Sequence, residues 1–350
     1  MALPNFMFTA FARCTVTFIG LLTLALAASS CSTSQGGPAA FAAATTAPAP
    51  VGIAANPVLT AVTTRNALKN ARAKPWFGSQ RAGQPSSVRI YMSSPADGTF
   101  SAVGLSDWTI KTVEAISIGE SISNGARGRD DLVCIHGFNQ TFEAAALDAA
   151  RLSDGLKFRG ETMLFSWPSK NSLLNYIYDR ESALWSRDAL EEMLDQLIAD
   201  RSVGTIHIVA HSMGTIVAVE ALRQLYDRRG ASIGDRFGAI ILASPDIDMD
   251  GFQSSITRVG GLSEKITVLT VANDRALGAM QNMAGGVTRV GTAETVQLET
   301  LGLRVIDASK YAGGGLNHDL FLSNGQVRQV IRGVMDGANR PAVASSIAIQ

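Results

Sequence analysis

Ile208-Val209-Ala210-His211-Ser212-Met213-Gly214 is the stretch whose reading decides the fold. Thr205 to Ala210 is an apolar run of strand length, and Gly214 to Leu225 reads as a helix. The join between them has the form Ala-x-Ser-x-Gly. In so sharp a strand-to-helix turn the residues two before and two after the serine crowd each other, and both must be small. Ala210 meets that demand, and Gly214 also tolerates the strained backbone. Ser212 is then expected to project from the turn, its Oγ exposed above the N-terminus of the following helix. The pattern is the nucleophile elbow G-x-S-x-G with Ala210 in place of the first glycine.

Outward from the elbow, strands and helices alternate. Leu132-Val133-Cys134-Ile135 is a short buried strand running into His136-Gly137. Phe142 to Leu156 suits a helix, and Thr162 to Trp167 a strand stopped by Pro168. Glu181 to Ala199 carries Leu184, Leu190, Met193, Leu194, Leu197 and Ile198 at helical spacing. Phe237 to Ala243, Ile266 to Val271 and Arg304 to Asp307 are further strands, and Phe321 to Met335 is a closing helix. Val88 to Met92 and Thr109 to Ile118 are early strands, read as a pair. Such alternation predicts a mostly parallel central sheet with helices on both faces, the α/β-hydrolase arrangement. Chemistry in open sheets of this kind sits at the carboxyl ends of the strands, where His136-Gly137, Ser212, Asp274 and His318 all fall.

A serine hydroxyl needs a base. Four histidines are present. His211 adjoins Ser212 and is expected to point away from its Oγ, His207 lies within a strand, and His136 ends an earlier one. His318 follows the last strand in the loop Gly313-Gly314-Gly315-Leu316-Asn317-His318, which can lower it onto the nucleophile. The acid that orients it is Asp274, after the strand Ile266 to Val271; Asp246 and Asp248 are the runners-up. The order Ser212, Asp274, His318 is the one this fold uses. Asp274 also precedes a helical segment, where a capping role would suit it equally. Asp246 and Asp248 follow Pro245 at what reads as the start of a helix, where acidic side chains cap free N–H groups. The oxyanion donors are expected to be the backbone N–H groups of Met213 and, from the loop after His136-Gly137, Phe138. Trp167, Tyr176 and Tyr178 fall near where a cap would sit, either lining a pocket or packing.

Lys plus Arg equals Asp plus Glu at 30 each, so no basic excess attracts a nucleic-acid backbone. Cys14, Cys31 and Cys134 are the three cysteines, which leaves Cys134 alone in the folded body as a small core residue. No zinc-ligand spacing exists, and neither a metal nor an organic cofactor is implied. Cys14 to Ala28 is an apolar run, shorter than the ~20 residues of a spanning helix, and reads as the core of an export signal. Ala28-Ser29-Ser30-Cys31 resembles the bacterial lipobox, with Cys31 the acylated residue. Residues 32–64 carry no charge and are rich in Ala, Thr, Pro, Gly and Ser, a composition expected of a tether. The predicted layout is a signal over 1–30, a tether over 31–64, a catalytic domain over 65–338 and a tail over 339–350. The chain is then exported to the cell envelope and held to a membrane by its lipid.

Val133-Cys134-Ile135-His136-Gly137-Phe138-Asn139, Phe165-Ser166-Trp167-Pro168-Ser169, Tyr178-Asp179-Arg180-Glu181-Ser182 and the elbow together resemble the bacterial α/β-hydrolases of the DUF900 family. Ala243-Ser244-Pro245-Asp246-Ile247-Asp248 and Asn273-Asp274-Arg275-Ala276 are similar to it as well, so the resemblance covers roughly residues 130–325. It implies an esterase-like fold with a triad on Ser212, Asp274 and His318, and no particular substrate. The expected activity is hydrolysis of a small-molecule or lipid carboxylic ester through an acyl-enzyme. Two alternatives stand beside it: a thioesterase, amidase or acyltransferase with the same triad, and a non-catalytic envelope module on the same fold.

Overall fold

The computed structural model describes residues 58–68, 74–95, 107–123, 128–283 and 285–337. The expected signal, Cys31, most of the tether and the C-terminal tail lie outside the described residues. Nine strands form one sheet in the order β3-β2-β1-β5-β4-β6-β7-β8-β9. They are β1 (Val58–Ala67), β2 (Phe77–Ser93), β3 (Thr109–Ile116), β4 (Asp131–Ile135), β5 (Glu161–Ser166), β6 (Ile206–His211), β7 (Phe237–Ala243), β8 (Ile266–Thr270) and β9 (Arg304–Asp307). The pairings β1·β2 and β2·β3 are antiparallel, and every pairing from β1·β5 to β8·β9 is parallel.

One expectation is corrected here. The tether was expected to run to Thr64, yet Val58 to Thr64 belong to β1, which lies between β2 and β5. The stretch lacks a strong apolar signal because its threonines do the packing. Thr60, Thr63 and Thr64 are buried, and the Thr63 hydroxyl donates to Ser166 O at 2.8 Å. A β-branched residue packs well on a pleated surface, and a satisfied hydroxyl removes the penalty of burying it.

The helices lie on the two faces of the sheet. Alternate side chains of each parallel strand go to opposite faces, as the period of two requires. Val133 and Ile135 of β4 join one apolar layer with Ile206, Ile208 and Ala210 of β6, while Leu132, Cys134 and Val209 join the other. The first layer is closed by α3 (Tyr176–Trp185), α4 (Arg187–Ala199), α5 (Gly214–Arg229) and α6 (Met249–Ile256). The second is closed by α2 (Phe142–Gly155), α9 (Leu320–Ser323) and α10 (Gly325–Gly337). Cys134 is buried, which pushes its thiol up to about 12.

Two expected helices are each divided. The single helix expected over Glu181 to Ala199 turns at Ser186, whose hydroxyl bonds Ser182 O at 2.8 Å and meets Thr64 Oγ1 at 2.9 Å. The closing helix is broken at Asn324, whose side-chain oxygen accepts from Gln326 N–H and Val327 N–H and so starts α10 afresh. The remaining helices are α1 (Ile118–Ser123), α7 (Arg275–Met283) and α8 (Thr295–Glu299).

Candidate active site

Ser212 occupies the turn between β6 and α5 with φ 51°, a left-handed conformation that costs a non-glycine residue about 1 kcal/mol or more. Its surroundings hold it there. Ser212 N–H donates to Ala243 O at 2.9 Å, and Ser212 O accepts from Thr215 N–H at 3.1 Å and Asp246 N–H at 3.3 Å. The end of β4 presses on the turn from the other side. A Cβ added to Gly137 would stand 2.9 Å from Ser212 Cβ, and one added to Gly214 would run into His136 O. Gly214 is there because the β4 backbone meets it directly, and Gly137 because it lies against Ser212 Cβ, the His211 ring and His211 O.

His318 arrives on the loop after β9 with its side chain part-exposed. Its Nδ1 lies 2.7 Å from Asp274 Oδ2. A carboxylate accepts only, so Nδ1 carries a proton, and in the neutral imidazole Nε2 is the acceptor. The loop is fixed to the Asp274 turn at several points. Arg275 N–H donates to Leu316 O at 3.0 Å, Asn317 Nδ2 reaches Asn273 O at 3.4 Å, and Asn317, at φ 61°, accepts from Gly313 N–H at 2.8 Å. His211 Nε2–H donates to His318 O at 3.0 Å, and the two rings stand 4.7 Å apart. His211 thus holds the loop that carries His318 from the position next to Ser212. Burial first, then the neighbouring His318, holds its pKa well below the usual histidine range, so it stays neutral.

The triad and capping roles weighed for Asp274 prove compatible. Oδ2 takes His318, and Oδ1 accepts from Leu277 N–H at 2.9 Å at the start of α7. The cap immobilises the carboxylate that orients the imidazole. Of the runners-up, Asp248 caps α6 through Gly251 N–H at 2.8 Å, as expected of it. Asp246 departs from expectation, because it does not cap that helix. It is fully buried, accepts from Tyr176 Oη–H at 2.9 Å and faces Arg289 Nε at 3.3 Å. Burial raises its pKa, opposed first by Arg289.

Of the aromatics near the expected cap, Trp167 and Tyr176 are packed in the core, and Tyr178 is half-buried between Arg81 and Lys170. Trp167 is fully buried, stacks on His136 at 4.8 Å and donates Nε1–H to His136 O at 2.8 Å. Tyr176 is buried edge-on to Phe138 at 5.5 Å, and Tyr178 Oη–H donates to Ser79 O at 3.1 Å. His207 is a satisfied core residue that accepts Ala239 N–H at Nδ1, 3.1 Å. Among the described residues, no acceptor faces the N–H of Met213 or of Phe138. Arg65 on β1, which the sequence gave no reason to single out, meets the Phe138 loop together with Ser166 at the end of β5, Ser169 just after it and Asp179 on α3, all buried; the last three lie within the family motifs but had no role assigned to them there. The signal of Arg65 is three-dimensional, since a lone arginine in an uncharged stretch reads as a surface residue.

The sheet order, the strained serine turn between β6 and α5, and a carboxylate-bonded histidine beyond β9 define an α/β-hydrolase. Residues 116–334 match the family described as alpha/beta hydrolase of unknown function (DUF900), and the chain belongs to it. An uncharacterized protein of Nostoc sp. (strain PCC 7120) is 33% identical over 64 residues, 18% of this chain and 17% of that one. The chain thus aligns with about a sixth of that relative's length. Among solved structures, an esterase of Pyrobaculum calidifontis is similar at 15% identity and TM-score 0.37, over 73% of this chain and 83% of that one. Thermogutta terrifontis esterase 2 is similar at 13% identity and TM-score 0.35, over 71% and 87%.

Proposed function

We propose that the chain is a serine-dependent carboxylic-ester hydrolase working through an acyl-enzyme. The observation that carries this reading is the 2.7 Å bond from His318 Nδ1 to a doubly anchored Asp274, on the loop packed against the elbow. In the neutral imidazole this bond selects the tautomer whose Nε2 can take a proton. In the reaction His318 Nε2 removes the Ser212 Oγ proton as Oγ attacks the ester carbonyl. The carbonyl oxygen becomes an oxyanion, received by the N–H groups of Met213 and Phe138. Imidazolium then protonates the leaving alkoxide, the acyl group stays on Oγ, and His318 activates water to release it. Asp274 stabilises the imidazolium at each stage. The test is turnover of p-nitrophenyl esters of graded acyl length by wild type and Ser212→Ala. Wild-type turnover that the variant lacks supports the reading, and equal turnover by both removes it.

The N-terminus adds a second proposal. Cys31 is acylated, and the hydrolase stands off an envelope membrane on the uncharged segment that follows. One acyl chain anchors only marginally, so stable attachment takes the several chains of a bacterial lipoprotein.

A further inference from the structure

We propose that Arg65 is a positioning residue of the oxyanion hole: from β1 it locks His136 in the tautomer that aims Phe138 N–H at the substrate carbonyl. The inference rests on the ester-hydrolase reading above and names a residue outside the stretch that matches the family, residues 116–334.

Arg65 is 1% exposed. Its guanidinium has five N–H donors, and five acceptors meet it. Nε–H donates to Ser166 Oγ at 2.9 Å. Nη1 faces Ser169 O at 3.2 Å and Gly78 O at 3.3 Å. Nη2 faces Gln140 O at 2.7 Å and His136 Nε2 at 3.4 Å. All five acceptors are neutral. Glu143 and Asp179 act on the cation only through space, and burial lowers its pKa to about 10, so it remains charged at neutral pH. A buried cation without a contacting carboxylate is an expensive way to join β1 to β5, for which apolar residues would suffice. Four of its five bonds go to the end of β5 and the segments that follow β4 and β5, beside the elbow.

The consequence runs through His136. Its Nδ1 lies 2.8 Å from Gly137 O, an oxygen that only accepts, so the clamp exists only while Nδ1 holds the proton. Nε2 must then be bare, and Trp167 N–H at 3.1 Å and Arg65 Nη2–H both point at it. The other tautomer has an outlet as well: Trp167 O also lies 3.1 Å from Nε2 and would accept a proton there. Trp167 N–H favours the bare Nε2, and Arg65 adds to it twice: through its own Nη2–H, and through Ser166, whose Oγ accepts from Arg65 Nε–H and lies 3.2 Å from Nε2 with its hydroxyl proton left to donate there. Burial, then Arg65, lowers the His136 pKa to about 3, which excludes the doubly protonated ring at neutral pH.

Gly137 O and Phe138 N–H belong to one peptide unit. In a trans peptide they point in opposite directions. Holding the carbonyl on His136 therefore turns the N–H the other way. The far end of the loop is held by the same set of residues. Arg65 takes Gln140 O, Ser169 Oγ accepts Gln140 N–H at 3.1 Å, and the Asp179 carboxylate faces the N–H groups of Asn139 and Lys170. Asn139 sits at φ 60°, a conformation that such bonding sustains.

The experiment uses full-length wild type, Arg65→Met and Arg65→Lys, checked for folding by circular dichroism. It measures kcat and KM for p-nitrophenyl acetate and Ki for an aryl trifluoromethyl ketone, whose serine adduct places an oxyanion in the hole. Misplacing one donor is expected to cost about 10- to 100-fold in kcat. The same loss is expected in affinity for the ketone, with KM within twofold. Arg65→Lys keeps the charge but loses the fork and falls between. Imidazole ¹⁵N spectra of wild type are expected to show His136 solely as the Nδ1–H tautomer from pH 5 to 8. That spectrum keeps the inference falsifiable even where neither variant folds. An Nε2–H tautomer in wild type overturns the inference. So does a folded Arg65→Met with unchanged kcat and Ki beside an active wild type, and in that case the hydrolase reading survives. A wild type without serine-dependent turnover removes the reading and this inference together.

Discussion

Gly137→Ala tests the juxtaposition on which the site depends. Gly137 does not have a left-handed φ, so alanine meets no backbone penalty there and the effect is steric. The new Cβ stands 2.9 Å from Ser212 Cβ, 2.9 Å from His211 Nδ1 and 3.2 Å from His211 O. Carbon atoms pack at about 3.5–4.0 Å, so the loop and the elbow must part by roughly 0.6–1 Å. None of these atoms ends a flexible side chain. Ser212 Cβ rides on a turn tied to Ala243 and Asp246, and the His211 ring lies 4.6 Å from the ring of Phe321. Overpacking of this kind costs about 1–3 kcal/mol of stability. Separating the Phe138 N–H from Ser212 Oγ by close to 1 Å costs on the order of 100-fold in rate. The assay is urea unfolding together with kcat/KM for p-nitrophenyl acetate per folded molecule. A variant with wild-type turnover and a midpoint shift worth less than about 0.5 kcal/mol refutes the contact, and with it the place given to the loop.

Asp274→Asn is expected to reduce kcat by on the order of 10⁴-fold, because asparagine can hold the wrong histidine tautomer. Asp246→Asn, which strands Arg289, is expected to lose about 3 kcal/mol of stability with less than tenfold change in rate per folded molecule; kinetics and denaturation on the same pair of variants check both. For pH, burial and then the carboxylates of Glu161, Asp130 and Asp200 push Asp131 up to about 7. A raised carboxyl stabilises the fold at low pH, and the benefit fades as pH climbs from about 4 to 7. His136, depressed to about 3, acts in the opposite sense, and its stability is present above about 6.5 and lost on acidification. Asp131→Asn is therefore expected to lose about 2–3 kcal/mol more than wild type between pH 8 and pH 5 at about 1.4 kcal/mol per unit, read from urea midpoints. Cys31→Ser is expected to move the protein from the detergent phase to the aqueous phase when expressed in a Gram-negative host; an unmodified N-terminus beyond residue 31, found by mass spectrometry in wild type, excludes the lipid.

Much of the fold was legible because the parallel strands are buried on both faces. Phe237 to Ala243 is then a continuous apolar segment whose ends coincide with β7, whereas the edge strand β9 keeps only Val305 and Ile306 apolar between Arg304 and Asp307. The site was legible where chemistry forces residue type at fixed spacing. The small residues around Ser212 are one case, and the carboxylate and histidine following successive strands are the other. β1 was illegible because threonines and alanines fill it and its burial depends on β2 and β5, one of which is distant in sequence. The two roles of Asp274 looked exclusive in sequence, where a residue counts once, yet a carboxylate has two oxygens. Arg65 had no signature, since its five acceptors lie 13 to 104 residues away along the chain.

The central claim, that Ser212 is the nucleophile activated by His318, is tested most directly by peptide mapping after reaction with diethyl p-nitrophenyl phosphate. Wild type is expected to carry one diethylphosphoryl group per molecule, on Ser212, with release of one equivalent of p-nitrophenol. Ser212→Ala is expected to carry no adduct, and His318→Asn to label more slowly by orders of magnitude. An unlabelled wild type, or a label on any other residue while Ser212 stays unmodified, contradicts the claim.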